Sequence, residues 1–241
     1  MATSIASLLP SNQLSQLPAL LEALEAERRA RRAERRLTEY QPYPKQKRFH
    51  NLGATQKVRA LFGGNQTGKS ITGGAETAMH LCGRYPDWWE GHRFDRPIRC
   101  WGAGETGEAT RDNVQTKLLG PPERDGEWGT GFIPKAALVG WNRALGTPNL
   151  LDSVSVQHVS GGMSTLWFKR YEQGRAKWQG PTLDLLWLDE EPSWDIFSEG
   201  LTRTNAVPDA RIILTFTALQ GLTEVVKWLL SGKSLPTLKA A

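Results

Sequence analysis

The chain has 241 residues, 39% hydrophobic and 23% charged, with a formal net charge of +5. These values suit one large packed domain with an appendage, or two small domains, and exclude a disordered or fibrous chain. No apolar run reaches the ~18 residues of a membrane span, and residues 1–20 lack the basic start and apolar core of a signal peptide. The two cysteines, Cys82 and Cys100, are too few for a disulfide framework, so a reducing cytoplasm is the expected compartment.

Residues 1–15 read as a flexible leader. From Gln16 to Thr38, Leu17, Leu20, Leu21 and Leu24 precede a run of Glu, Ala and Arg, all strong helix formers, which predicts a solvated helix. Glu27 and Arg31 attract at a spacing of four while Arg28 and Arg32 repel. The basic segment Arg28–Arg36 is either a solvated face or a docking arm for DNA or a partner protein. Tyr40-Gln-Pro-Tyr-Pro stops this helix, because proline fixes its own backbone and restrains the residue before it. The expected organisation is a leader and basic arm over 1–39, the main domain over 40–230 and a tail over 231–241.

Within the main domain, Val58–Gly63, Ile98–Ala103, Thr165–Arg170, Asp184–Asp189 and Arg211–Phe216 read as buried strands. Helices are expected at Ser70–Cys82, Thr106–Leu118, Ser193–Leu201 and Leu222–Leu230. This alternation predicts an α/β fold, with a central, mainly parallel sheet flanked by helices on both faces. Leu150–Ser160 alternates polar and apolar residues and suggests a hairpin at one sheet edge. The Gly- and Pro-rich stretch Gly120–Pro148 reads as a long surface excursion. Asp87-Trp88-Trp89, after Tyr85-Pro86, reads as a core anchor ending the helix, with an exposed aromatic patch as the alternative.

The most specific motif is Gly63-Gly64-Asn65-Gln66-Thr67-Gly68-Lys69-Ser70, which fits G-x-x-x-x-G-K-[ST] between a predicted strand and a predicted helix. Glycines let successive backbone N–H groups curl around phosphate oxygens, and the helix N-terminus adds partial positive charge. Lys69 is placed to reach the β- and γ-phosphates of ATP, and Ser70 to ligate Mg²⁺. Ser231-Gly232-Lys233-Ser234 also contains G-K-S, but Lys227 stands where the first glycine belongs and a helix precedes it.

Leu185–Leu188 is an apolar strand that ends in Asp189, Glu190 and Glu191. In phosphate-loop proteins an aspartate at such a strand end holds the metal. Asp189 is thus the candidate Mg²⁺ residue, acting through water, and Glu190 the candidate general base for the attacking water. Glu191 reads as a strand-exit residue near the site. The 120-residue separation of Lys69 and Asp189 leaves room for an additional strand between the two motif strands, and Ile98–Ala103 and Thr165–Arg170 both qualify. A glutamate after the aspartate favours an ATP-driven motor over a kinase.

These motifs, with Thr215-Phe216-Thr217-Ala218 at the end of the last strand, resemble the ATPase half of the large terminase subunit of tailed bacteriophages, from about Tyr43 to Leu230. The resemblance implies a motor that hydrolyses ATP to move viral double-stranded DNA into a procapsid. It also implies a homo-oligomeric ring, with the portal protein and the small terminase subunit as partners. The implied location is the cytoplasm of the infected bacterial host and, transiently, the portal vertex. By the same resemblance Thr215 and Thr217 fall on the coupling motif, and Tyr43–His50 on an adenine-recognition segment. There Gln46 is the candidate contact to the base, with Tyr43 or Phe49 near the ring; a surface turn with two core aromatics is the alternative.

Two departures concern the arginine finger. Many relatives carry arginine where this chain has Asn65, and some where it has Gln179. Arg175, acting in trans, is the nearest substitute, with Arg170 and Arg203 as further candidates. No acidic cluster of a nuclease follows Leu230, so DNA cleavage is not expected from this chain. Lys169, Arg170, Arg175 and Lys177, interleaved with Tyr171 and Trp178, suit either a DNA channel or a solvated edge or subunit interface. His50, His80, His92 and His158 show no metal-ligand spacing. The rival readings are another nucleic-acid motor of helicase type and a nucleotide-dependent assembly module.

Overall fold

A computed structural model describes residues 17–232; the predicted leader and most of the predicted tail, including Lys233 and Ser234, lie outside the described residues. Helix α1 (Leu17–Arg35) exposes Leu20, Leu21 and Leu24, as a solvated helix should. Its end is nevertheless tied down. Arg36 donates to the backbone oxygen of Thr130 at 2.7 Å, its guanidinium lies 4.9 Å above the Phe132 ring, and Leu37 is buried. The segment after Tyr40-Gln-Pro-Tyr-Pro is helix α2 (Pro44–Leu52). Pro44 opens it at a position where its missing N–H costs nothing. Gln46, Phe49 and His50 share its buried face.

The remaining elements are β1 (Val58–Phe62), α3 (Lys69–Cys82), β2 (Arg99–Gly104), α4 (Gly107–Ala109), α5 (Thr116–Leu119), β3 (Leu138–Arg143), β4 (Leu151–Gln157), β5 (Met163–Arg170), β6 (Leu185–Asp189), α6 (Trp194–Asn205), β7 (Arg211–Phe216) and α7 (Glu224–Leu230). A π-helical turn, Thr110–Gln115, joins α4 to α5, so the helix expected over 106–118 exists with a wide turn inside it.

The seven strands form one sheet in the order β1-β7-β6-β2-β5-β4-β3. The first five are mutually parallel, and β4 and β3 add an antiparallel edge. An additional strand does lie between the two motif strands β1 and β6, and it is β7. The two strands considered for that place, β2 and β5, lie on the far side of β6, because crossover helices let sheet order depart from chain order. Strand alternation explains the two-faced core. Leu185, Trp187 and Ile213 face the α3 side, whereas Leu186, Leu188, Ile212 and Leu214 face α6 and α7.

Two loop expectations need correction. The 120–148 stretch is not a surface excursion. It buries Trp128, Phe132 and Ile133 and contains β3. Its backbone closes on the end of α5, with Ile133 N donating to Leu118 O at 2.9 Å and Gly131 N to Leu119 O at 3.1 Å. The 150–160 stretch is the single strand β4, whose hairpin partners are β3 and β5. Trp89 is buried, and its indole donates to His92 O at 2.9 Å, which fits the anchoring role.

Helix α3 lies close on β6 because Gly73 has no side chain: a Cβ there would fall 2.5 Å from Cε2 of Trp187. Gly73→Ala is therefore expected to cost about 1–3 kcal/mol through overpacking. A melting temperature equal to wild type would show that the helix can lift off the strand freely.

Candidate active site

The site lies at the C-terminal ends of the parallel strands, where open α/β sheets generally bind ligands. Residues 63–68 connect β1 to α3. Gly68 has φ 80° and Gln66 φ 61°, left-handed conformations that curl the loop so that α3 starts at Lys69. A Cβ at Gly63 would meet Thr67 Oγ1 at 2.7 Å, so this glycine permits the loop's closest approach to itself. Thr67 and Lys69 both donate to Gly64 O, at 2.9 and 2.7 Å, and Thr72 donates to Gly68 O at 2.9 Å. The free N–H groups at the start of the 14-residue helix α3 face an anion there favourably.

Across the loop, Asp189 is 2% exposed at the end of the wholly buried strand β6. One carboxylate oxygen accepts from Ser70 Oγ at 3.1 Å, and the other from Thr215 Oγ1 at 2.6 Å. Thr215 in turn accepts from the Trp187 indole at 2.8 Å. Burial pushes the Asp189 carboxyl up to about 6, although the Thr215 and Ser70 hydroxyls pull it back. A buried carboxylate with this preference gains from a nearby cation. Ser70 and Asp189 supply hard oxygen donors, and these residues fit Mg²⁺.

Glu190 follows with φ 68°, unusual for a residue with a side chain. Its amide donates to Thr215 O at 3.0 Å, and the Tyr171 hydroxyl donates to the backbone oxygens of Asp189 and Glu190, each at 3.0 Å. Burial, followed by the charges of Asp189 and Glu190, holds the Tyr171 hydroxyl well above its usual range, so it keeps its proton. Glu191 turns the other way. It accepts from Thr223 Oγ1, the cap of α7, and lines an open cleft with Glu105, Tyr171, Trp194 and Glu224.

Residues far apart in the chain thus converge. Thr217 Oγ1 donates to Asn65 Oδ1 at 3.2 Å, joining the end of β7 to the phosphate loop. Gln46 is 5% exposed; its oxygen accepts from Tyr43 N at 2.8 Å and its nitrogen donates to Gly68 O at 3.3 Å. That places Gln46 against the loop rather than in a surface turn. Tyr43 is largely exposed, and Phe49 is buried.

Arg175 is not drawn into this cluster. Its guanidinium pairs with Glu199 on α6 at 3.2 Å, and Arg203 pairs with the same carboxylate at 3.0 Å. Arg170 donates to Thr147 Oγ1 at 3.0 Å. Lys169 donates to Lys177 O at 3.0 Å and sits 4.6 Å above the Trp101 ring. The basic run is therefore partly occupied by internal bonds.

Two features had no sequence signal strong enough to find them. One is Tyr171, hidden in a run notable for its lysines and arginines. The other is Glu76, which is fully buried on α3 and contacts Arg59 on β1, His50 on α2 and His80 one turn on. A lone glutamate amid Thr, Gly, Ala and Met was the available hint. His50 and His80 serve this packing, whereas His92 meets Arg211 and His158 meets Ser160; no group of three or more His, Cys, Asp or Glu is placed to hold a metal ion among the described residues.

Comparison with known proteins gives a consistent picture. The family model for the terminase large subunit, T4likevirus-type, N-terminal, matches residues 60–240. The large terminase subunit of Salmonella phage P22 is 42% identical over 232 residues, covering 89% of this chain and 46% of that protein. The chain thus spans about half the length of this curated relative. Among solved structures, the large terminase ATPase domain of Thermus phage P74-26 aligns with a TM-score of 0.55 in a mutant form and 0.53 in another structure. Both are 22% identical and cover 83% and 82% of this chain, and 74% and 71% of theirs. That likeness is one of fold.

Proposed function

The chain belongs to the terminase large-subunit family, and we propose that it is the Mg²⁺-dependent ATPase domain that powers movement of viral double-stranded DNA into a procapsid. The observation that carries this reading is the hydrogen-bonded line Ser70–Asp189–Thr215, which joins the phosphate loop, the acidic strand and the coupling strand at one point. The loop amides and the α3 N-terminus hold the β- and γ-phosphates. Lys69 leaves Gly64 O to reach the γ-phosphate. Ser70 and Asp189 hold Mg²⁺, which when bound neutralises phosphate charge. Glu190 accepts the proton of a water whose oxygen attacks the γ-phosphorus as the bond to the β-phosphate oxygen breaks, giving ADP and phosphate. The Thr217–Asn65 bond then links the end of β7 to a loop that has lost its γ-phosphate.

On this reading Gln46 meets the adenine edge from beside Gly68, and the domain runs over 40–230 with a basic arm before it. Portal protein, small terminase subunit and a ring of like subunits complete the assembly, in the host cytoplasm and at the portal vertex. Arg175 acts in trans only by giving up Glu199.

The test is steady-state ATP hydrolysis with and without Mg²⁺ at rising protein concentration. Specific activity should rise with concentration as subunits assemble. Lys69→Ala should weaken nucleotide binding about 10–150-fold, the worth of one charge-assisted hydrogen bond. Mg²⁺-independent turnover, or undiminished binding by Lys69→Ala, would defeat the reading.

A further inference from the structure

Glu190 holds a left-handed backbone that a side chain disfavours, and such conformations persist only where surrounding contacts over-determine them. Contacts that hold the turn from outside its own strand ladder can be named. The Glu190 amide is held by Thr215 O, and the two successive carbonyls of Asp189 and Glu190 are held by one hydroxyl, that of Tyr171. Tyr171 is itself fixed from several sides. Its ring lies 5.9 Å from that of buried Trp178, whose indole donates to Arg170 O at 3.1 Å. The next residue, Glu172, donates its amide to Glu105 O at 3.1 Å and accepts from Gly107 N at 2.9 Å. The hydroxyl therefore ties the end of β6 to the ends of β5 and β2. None of the bonds given for the phosphate loop involves it.

We infer that Tyr171 is a positioning residue for the acidic turn: its hydroxyl, bridging the Asp189 and Glu190 carbonyls, keeps the Glu190 carboxylate aimed at the attacking water. This rests on the reading of Glu190 as general base. With the hydroxyl gone, both carbonyls lose their donor, and Glu190 can relax toward an ordinary backbone while the loop still binds nucleotide. A tyrosine that merely fills the core would affect stability and leave turnover per folded molecule unchanged.

The experiment compares Tyr171→Phe, Glu190→Gln and the double variant in the full chain. Tyr171→Phe should lower kcat roughly 10–100-fold, the scale of a misplaced catalytic group, with KM for ATP within about twofold. Without nucleotide, hydrogen exchange at the Glu190 amide should quicken about tenfold or more, as expected for local opening, while exchange at Leu186 and Leu188 stays at wild-type rates. Adding Tyr171→Phe to Glu190→Gln should cost nothing further, because both act through one group. A wild-type kcat or unchanged Glu190 exchange in Tyr171→Phe would each overturn the inference. If Glu190→Gln kept the wild-type rate, the base assignment itself would fall, while the exchange result would still report whether Tyr171 holds the turn.

Discussion

Glu190→Gln is expected to lower the rate of ATP hydrolysis roughly 10²–10⁴-fold, the usual worth of a general base, while ATP still binds. The amide keeps the size of the carboxylate and loses the basicity that accepts a proton from water. Among the described residues Glu190 makes no hydrogen bond or ion pair through its side chain. Its backbone bonds to Thr215 and Tyr171 survive the change. On the proposed reading binding depends on Lys69, Ser70 and the loop amides, which the substitution does not touch. The check is a single-turnover measurement beside an ATP-binding titration. A rate within about threefold of wild type would move the base elsewhere, and Glu191 would be next to test, although its carboxylate is engaged with Thr223.

The second large effect concerns stability. Glu76→Gln should cost about 3–5 kcal/mol, because it leaves the guanidinium of Arg59 buried without a counter-charge. Arg59 is 4% exposed and Glu76 fully buried, so water cannot replace the lost partner. Against a typical domain stability of about 5–15 kcal/mol the loss is severe. Denaturant unfolding would measure it. The paired change Arg59→Met with Glu76→Leu should recover much of the loss, since a buried ion pair often does no better than packed apolar groups. If the pair fared no better than Glu76→Gln, the cost would lie in the histidine contacts instead.

The pH dependence follows from the same network. Burial alone would raise the Glu76 carboxyl, but the charge of Arg59 and hydrogen bonds from His50 and His80 reverse this and hold it well below 4.5. A folded value below the unfolded one means stabilisation present in full above 4.5 and lost as pH falls toward the folded value. His80, lowered from 6.5 mainly by burial, acts in the same direction from a higher pH. Asp189, raised from 3.8 to about 6, acts oppositely: its contribution is present below 3.8 and lost as pH rises through about 6. The part of the acid loss that Glu76 contributes below about 4.5 should therefore be missing from Glu76→Gln, because glutamine does not titrate.

The network also bears on the site. His50 and Gln46 stand one turn apart on α2, and His50 meets Glu76 at 2.7 Å on the helix that begins at Lys69. The ion cluster thus fixes the helix that carries Gln46 against the helix that carries the phosphate loop.

The sequence by itself determined the phosphate loop, the acidic strand end and the strand–helix alternation. Each is written locally: loop curvature needs glycines at fixed positions, and a strand buried on both faces needs a continuous apolar run. Strand β7 was equally legible as an element, since Arg211–Phe216 is apolar throughout the middle. Tertiary structure alone decided which strands are neighbours, because crossovers free sheet order from chain order and brought Thr215 beside Asp189. It also decided that Arg175 is held by Glu199, that the 120–148 stretch is folded into the core, and that Tyr171 grips the acidic turn. Those facts depend on pairs of residues from 18 positions apart, as in Tyr171 and Asp189, to 154 apart, as in the strand partners Val58 and Ile212, or on a loop closing over a helix. No local periodicity records such pairs; only the packing of the whole sheet brings them within bonding distance.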